Sequence, residues 1–148
     1  MTAQTQSKKY SVHLKRTFAA RREKVFKAWT EPIELKKWWG VADDWSTPIT
    51  EVDLRVGGKY RLGMQPPEKD APYIVGGTYR EVQPPERLVY TWCWEGGEME
   101  ETLVTVLFHD SGDSTEVELG HEYLPDEKTR DDHKDGWEGC LSRLAKIL

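Results

Sequence analysis

Long apolar runs, paired cysteines and known catalytic signatures are all missing from this chain of 148 residues. No stretch approaches the roughly 20 apolar residues that a membrane-spanning helix needs. Segment 1–8, which we expect to be flexible, contains no apolar signal-peptide region, so we expect a cytoplasmic protein without membrane insertion. Cys93 and Cys140 form no C-x-x-C pattern, which favours two reduced, buried thiols over a disulfide or a zinc site.

Neither G-x-S-x-G nor H-E-x-x-H occurs, and there is no Cys–His nucleophile signature. The four scattered histidines do not predict a metal site, and we expect no cofactor. The acidic groups around Glu100 and Asp131/Asp132 are interpreted as solvated surface, with a paired-carboxylate role for one of them left open. The absence of a catalytic apparatus favours a protein that is not an enzyme.

Charge is distributed unevenly along the chain. The first 40 residues carry ten Lys/Arg against three Asp/Glu, a net charge of +7, whereas the remainder carries −12. A basic face for an acidic partner or nucleic acid is one interpretation. Because no nucleic-acid-binding motif accompanies the charge, we favour pairing within the fold, in which a first strand carrying Lys9, His13 and Lys15 lies beside a last strand carrying Glu116 and Glu118.

Seven tryptophans are the most unusual feature of a chain in which only 37% of the residues are hydrophobic. Each indole brings a large apolar area and an N–H group that needs a partner. Indoles gathered around a cavity would explain the excess, although aromatic-rich cores without a ligand are the more common arrangement. The tryptophans therefore indicate a domain that holds something apolar.

Hydrophobic periodicity predicts one strand, two short helices, six strands and a long helix. The first strand covers 9–18 and the first helix 20–29; Thr30 is expected to cap a second helix that starts at Pro32 and ends near Gly40. Gly- and Pro-containing turns separate the later strands, which are predicted at 49–54, 59–64, 73–82, 88–94, 102–108 and 115–121. Short connections between consecutive strands make the sheet antiparallel.

After Pro125, mostly apolar side chains recur at helical spacing and form one stripe, which predicts the long C-terminal helix. Gly136 and Gly139 weaken this helix by roughly 1 kcal/mol each relative to Ala, and we expect them to allow a close approach to the sheet. The fold class is α+β, with about seven strands curved around the C-terminal helix. One domain is predicted across residues 1–148.

The sequence resembles a known superfamily over nearly its whole length. The matching segments are 16–32 with Trp38 following, D-L-R-V-G-G-K-Y at 53–60, P-P-E-R-L-V-Y-T-W at 84–92, and His133-x-x-Gly136-Trp137. They are similar to the START-like (SRPBCC) proteins, and more closely to the branch named after the activator of the ninety-kDa heat-shock protein's ATPase. The resemblance implies a helix-grip fold. It leaves the function open, because members range from ligand carriers to enzymes.

The direction of Trp92 and Trp94 depends on the turn at Gly96-Gly97. A two-residue hairpin pairs Thr91 with Thr102 and turns both tryptophans outward, whereas a longer or bulged loop turns them inward. We favour the inward direction, because outward aromatics would form a large apolar patch, which would instead argue for a homodimer.

The predicted function is binding of a small, mostly apolar molecule between the sheet and the C-terminal helix. Arg55 and His121 are candidate polar anchors, although pairing of Arg55 with Asp53 and a core role for His121 are the favoured alternatives. Trp39 and Trp45 are left unassigned. The predicted walls are Trp38, Tyr60, Met64, Trp92, Trp94 and Trp137.

Two other functions remain open at this point. One is a protein-interaction module, either a co-chaperone that stimulates a heat-shock protein ATPase or a homodimer that uses the outer face of the sheet. The other is a cyclase- or hydratase-like enzyme with His121 as acid and base.

Overall fold

The computed structural model describes residues 10–148, and over this range it contains seven strands and three helices. Their order confirms the predicted α+β class. The elements are β1 (Tyr10–Phe18), α1 (Arg22–Thr30), α2 (Pro32–Trp38), β2 (Ser46–Val52), β3 (Lys59–Gln65), β4 (Tyr73–Gln83), β5 (Arg87–Trp94), β6 (Thr102–Ser111), β7 (Ser114–Leu124) and α3 (Glu127–Ile147).

All seven strands form one antiparallel sheet in the order β1-β7-β6-β5-β4-β3-β2. Helix α3 packs on β1 and β7 and touches α2, so the sheet curves around it in a helix-grip arrangement. Alternate residues of β6 (Val104, Val106 and Phe108) face the helices and are buried. Within residues 10–148, none of the helices combines the length and the apolar composition needed to span a membrane.

The helix boundaries differ from the prediction at Thr30. Helix α1 extends through Thr30, whose hydroxyl donates to the carbonyl of Phe26 at 2.9 Å. The extended residue that precedes α2 is therefore Glu31, and Pro32 occupies the first helical position as predicted. At the start of α3, the Asp126 side chain accepts the backbone N–H of Thr129 at 2.8 Å and caps the helix.

The two glycines of α3 behave differently from the expectation that both approach the sheet. A Cβ atom at Gly139 would collide with the carbonyl oxygen of Val41, so the close approach is to the loop after α2. A Cβ atom at Gly136 would meet nothing within 4 Å. Of these two glycines, therefore, only Gly139 needs to be glycine for steric reasons.

The charged strands lie side by side as the favoured interpretation requires. In the β1–β7 ladder, Lys15 is opposite Glu118, and the Nε2 atom of His13 lies 2.6 Å from a Glu118 carboxylate oxygen. His109 of β6 reaches the other carboxylate oxygen at 2.9 Å. These contacts account for part of the charge asymmetry within the fold; Lys9 lies outside the described residues.

Candidate functional site

A cavity of about 540 Å³ lies between α3, the inner face of the sheet and the loop that follows α2. This volume falls within the range of about 300–1,000 Å³ found for small-molecule sites. The loop contributes Trp39, Val41 and Trp45; the strands contribute Met64, Tyr73, Trp92 and Trp94; and α3 contributes Asp132, His133, Gly136, Trp137 and Cys140.

Strand register turns Trp92 toward the interior. Trp92 is paired with Thr102 and Thr91 with Leu103, one residue away from the register of a two-residue hairpin. Trp92 therefore shares the inner face with Thr102 and Val104 and is only 3% exposed. The longer connection gives the register that we favoured from the sequence. An outward patch of Tyr90 and Trp92 does not form, because both are buried.

The indoles around the cavity are packed mainly edge to face. The Trp92 ring centroid lies 5.4 Å from that of Trp94, with the two planes at 88°. Trp39 is 5.8 Å from Trp92 at 63° and 5.6 Å from Trp137 at 75°. At the rim, Trp45 of the loop stacks on Tyr73 at 6.2 Å. Such contacts stabilise the aromatic wall beyond the burial of area alone.

His133 is held in one tautomer at the side of the cavity. The indole N–H of Trp94 donates to Nε2 of His133 at 3.0 Å, and an indole can only donate. The proton of His133 therefore lies on Nδ1, which donates to the carbonyl of Thr129 at 2.8 Å. Burial lowers the pKa of His133 despite this carbonyl contact. The ring is a neutral support for Trp94.

His121 lies behind the wall and has no exposed surface. Its Nδ1 accepts the N–H of Trp137 at 3.1 Å, so Nε2 carries the proton and donates to the Thr102 hydroxyl at 2.7 Å. That hydroxyl donates to the carbonyl of Trp92 at 3.3 Å. Burial, with a further contribution from His133, lowers the pKa of His121 to about 3. Both ring nitrogens are thus committed to holding the tryptophans in place.

Four of the eight predicted site residues come together at the cavity, namely Met64, Trp92, Trp94 and Trp137. His121 is one layer behind it. Trp38 is fully buried and donates to the carbonyl of Ala28 at 2.9 Å. The Tyr60 hydroxyl donates to the carbonyl of Thr91 at 2.6 Å, and burial raises its pKa.

Arg55 is also away from the cavity wall. Its exposed guanidinium pairs with Asp53 at 2.9 Å. Arg55 therefore forms the ion pair that we favoured from the sequence over a role as a polar anchor for a ligand.

Several lining residues carried no assignment from the sequence. On α3, His133 lies four residues before Trp137, so helical spacing was a signal that could have identified it. Gly136 is adjacent to Trp137 in the chain and gave no such signal. Trp39, Val41 and Trp45 lie at or beyond the end of α2, where no periodicity shows which way a side chain points. Tyr73 starts a strand, and its contact with Trp45 arises only from the tertiary structure.

Three further polar groups belong to the wall. The indole N–H groups of Trp39 and Trp92 are buried and have no hydrogen-bond partner in the described structure. The thiol of Cys140 is buried, and burial raises its pKa to about 11, so it is a protonated, unreactive part of the wall at neutral pH. Within residues 10–148, no three His, Cys, Asp or Glu side chains are grouped to hold a metal ion.

Solved structures similar to this chain share its architecture. Protein CV1439 from Chromobacterium violaceum is 25% identical, with a TM-score of 0.86 and coverage of 95% of this chain and 97% of that one. The AHSA1 protein from Silicibacter pomeroyi is 27% identical, with a TM-score of 0.82 and coverage of 93% and 96%. An AHSA1-like protein from Aeromonas hydrophila is 25% identical, with a TM-score of 0.77 and coverage of 92% and 90%.

A comparison with curated proteins finds no match. The family model of the Activator of Hsp90 ATPase homolog 1-like proteins matches residues 19–148. This match covers all three helices, six complete strands and every residue that lines the cavity. The chain therefore belongs to the family of Activator of Hsp90 ATPase homolog 1-like proteins.

Proposed function

We propose that this domain binds a small, mostly apolar molecule in the cavity between the sheet and α3. The observation that carries the proposal is the composition of the wall, in which five tryptophans and a tyrosine surround about 540 Å³ of space. Burial of apolar ligand surface contributes roughly 25 cal/mol per Å². A wall with so much aromatic surface therefore provides affinity for apolar groups.

The loop that closes one side of the cavity is anchored, which supports a site that exists before the ligand arrives. Asp43 of this loop pairs with Arg143 at 3.6 Å and with Lys146, both on α3. The carbonyl of Val41 lies against Gly139 on the same helix. A wall that is already in place reduces the ordering cost of binding.

Filling the cavity from α3 tests the proposal. The probe is the neutral dye N-phenyl-1-naphthylamine, whose emission rises in an apolar environment. We expect saturable binding to the unmodified protein and a loss of at least roughly tenfold in affinity for Gly136→Leu, because about 1.4 kcal/mol of lost contact suffices for that change. The new side chain enters open space, since a Cβ at Gly136 meets no neighbour.

Gly136→Ala is the matched control, because it makes the same change in helix propensity while filling little volume. It should keep most of the dye affinity. Urea unfolding of both variants shows that they are folded. Absence of saturable dye binding, or equal affinity for Gly136→Leu and Gly136→Ala, would overturn the proposal.

A further inference from the structure

The inner part of the cavity wall is almost closed to solvent. Its five members are each at most 5% exposed; they are Trp39, Met64, Trp92, Trp137 and Cys140. Residues nearer the surface are more accessible, and Tyr73 at the rim is 44% exposed. Little of the inner surface can therefore touch a ligand unless part of the wall moves.

The three parts of the wall are attached to the rest of the protein to different extents. The strands are joined by antiparallel ladders, and α3 packs along β1 and β7. Residues 40–45, between α2 and β2, belong to no ladder. Within the described range, their one backbone-to-backbone hydrogen bond joins the N–H of Trp45 to the carbonyl of Ala42, inside the segment itself. A segment with so few hydrogen bonds is the part of the wall that opens at the lowest cost.

Charged side chains hold this segment against α3. Asp43 lies 3.6 Å from Nε of Arg143 and also pairs with Lys146. The side chain of Arg143 is only 13% exposed, and its Nη1 atom is buried without a hydrogen-bond partner in the described structure. A largely buried guanidinium is costly unless a carboxylate is close to it. The pair with Asp43 therefore favours the closed position of the segment.

The other contacts of the segment are uncharged. At its start, Gly40 leaves room for the Arg143 guanidinium, which a Cβ atom would meet. Further along, the carbonyl of Val41 lies against Gly139, and at the end Trp45 stacks on the partly exposed ring of Tyr73 at 6.2 Å. The pairs of Asp43 are consequently the part of the attachment that salt weakens.

We propose that residues 40–45 form a lid over the inner wall, and that the pairs of Asp43 with Arg143 and Lys146 are the latch that keeps it closed. The proposal rests on the function proposed above, because the lid controls access to that cavity. A ligand enters and leaves while the latch is open, so the latch sets the rate of exchange. It leaves the affinity unchanged, since Asp43 does not line the cavity and its pairs form again over the bound ligand.

Asp43→Asn opens the latch, and Asp44→Asn is the matched control. Asp44 is exposed and forms no ion pair within residues 10–148, so both variants remove one negative charge from the same segment. Stopped-flow mixing with N-phenyl-1-naphthylamine measures association, and dilution of the complex measures dissociation. We expect Asp43→Asn to raise both rate constants about two- to fivefold, the range for a partly exposed ion pair, with the ratio of the two rate constants kept. Asp44→Asn should change neither rate constant.

Ionic strength gives a second measurement that includes the unmodified protein. Raising it from about 0.1 M to about 1 M shortens the Debye length from about 10 Å to about 3 Å. We expect exchange of the dye to accelerate in the unmodified protein and in Asp44→Asn, and to change much less in Asp43→Asn, whose latch is already open. Because the dye is uncharged, a difference between the variants reports on the charges of the protein.

The lid and the proposed function can fail separately. Rate constants that are the same for Asp43→Asn and Asp44→Asn, slower exchange in Asp43→Asn, or a change confined to one of its two rate constants would overturn the latch while the cavity still binds the dye. An equal response of all three proteins to salt would also overturn it. Absence of saturable dye binding to the unmodified protein would overturn the proposed function and the lid together. Urea unfolding shows that both variants are folded.

Discussion

At the end of the molecule where α1 and α2 cover the sheet, aromatic side chains leave almost no space, whereas beside the middle of α3 they surround a cavity. The packed end contains a void of about 10 Å³, bordered by Trp29, Tyr60 and Tyr79 among others. That is about the smallest space that holds one water molecule. The cavity end, built from the same types of side chain, leaves about 540 Å³.

Aromatic content alone therefore does not decide whether a core is closed. At the packed end, two short helices place Trp29 and Trp38 5.0 Å apart, and each indole N–H has a partner. At the cavity end, one wall is a loop and the helix presents Gly136, which has no side chain to fill the space. There, the indole N–H groups of Trp39 and Trp92 have no hydrogen-bond partner among the described residues.

The largest effect should come from truncating a tryptophan at the packed end. Trp38→Ala removes a fully buried ring and its bond to Ala28, and we expect the free energy of unfolding to fall by about 3–5 kcal/mol. The matched change Trp45→Ala removes a half-buried ring at the cavity end and should cost about 1 kcal/mol or less. Urea unfolding measures both. Equal losses would contradict the distinction between the two ends.

A second test uses the neutral histidine behind the cavity wall. Burial lowers the pKa of His121 to about 3 in the folded protein from the usual 6.5 of an exposed histidine, so between these values the unfolded chain binds a proton that the folded protein does not. The contribution of His121 to stability is therefore complete above pH 6.5 and is lost as the pH falls from 6.5 toward 3, by up to about 1.4 kcal/mol per pH unit.

His121→Gln removes the titrating group while keeping a side chain that can both accept from Trp137 and donate to Thr102. Its unfolding free energy should fall less steeply between pH 6.5 and 5 than that of the unmodified protein. Urea titrations at several pH values, with pH 8 as the reference, give both slopes. Parallel slopes would show that His121 is not buried in its neutral form.

The smallest expected effect compares the two glycines of α3. Gly139→Ala places a methyl group against the carbonyl of Val41, and overpacking of about 1–3 kcal/mol should exceed the gain in helix propensity of about 1 kcal/mol. Gly136→Ala meets no neighbour and should be stabilising by up to about 1 kcal/mol. Thermal unfolding should therefore shift in opposite directions. A shift in the same direction would mean that the loop yields to the methyl group.

Much of the fold could be predicted because each element carries its own local signal. Alternation identified β6 and β7, helical spacing identified α3, and the Gly- and Pro-containing turns separated the strands. The errors in the predicted fold lie at the ends of elements. At Thr30, for example, the first helix is one residue longer than predicted, so Glu31 rather than Thr30 precedes the second helix. The contact of Gly139 with Val41 was assigned to the wrong partner, because a helix pattern does not show which segment it meets.

The candidate site was accessible from the sequence only in part. Trp92 and Trp94 could be placed once the length of the turn after β5 was judged, and Trp137 lies on the helical stripe. Trp38 and Tyr60 were assigned to the same wall but lie elsewhere in the interior. The hydrophobic pattern of a sequence shows whether a side chain points inward, but not at which end of the interior it lies. His133 lies at helical spacing from Trp137, but its bond to Trp94, 39 residues away in the chain, depends on the tertiary structure.

The order of the elements, the antiparallel sheet, the inward faces of the strands and the family resemblance all follow from the amino-acid sequence, since these depend on short-range periodicity and local motifs. Which part of the interior is closed and which is open follows only from the way the segments pack. That outcome depends on how a loop, three strands and α3 are spaced, and on the glycine at position 136 of the wall, where a Cβ would meet no neighbour. Local patterns carry no information about such distances, because packing is a property of segments that meet only after the chain has folded.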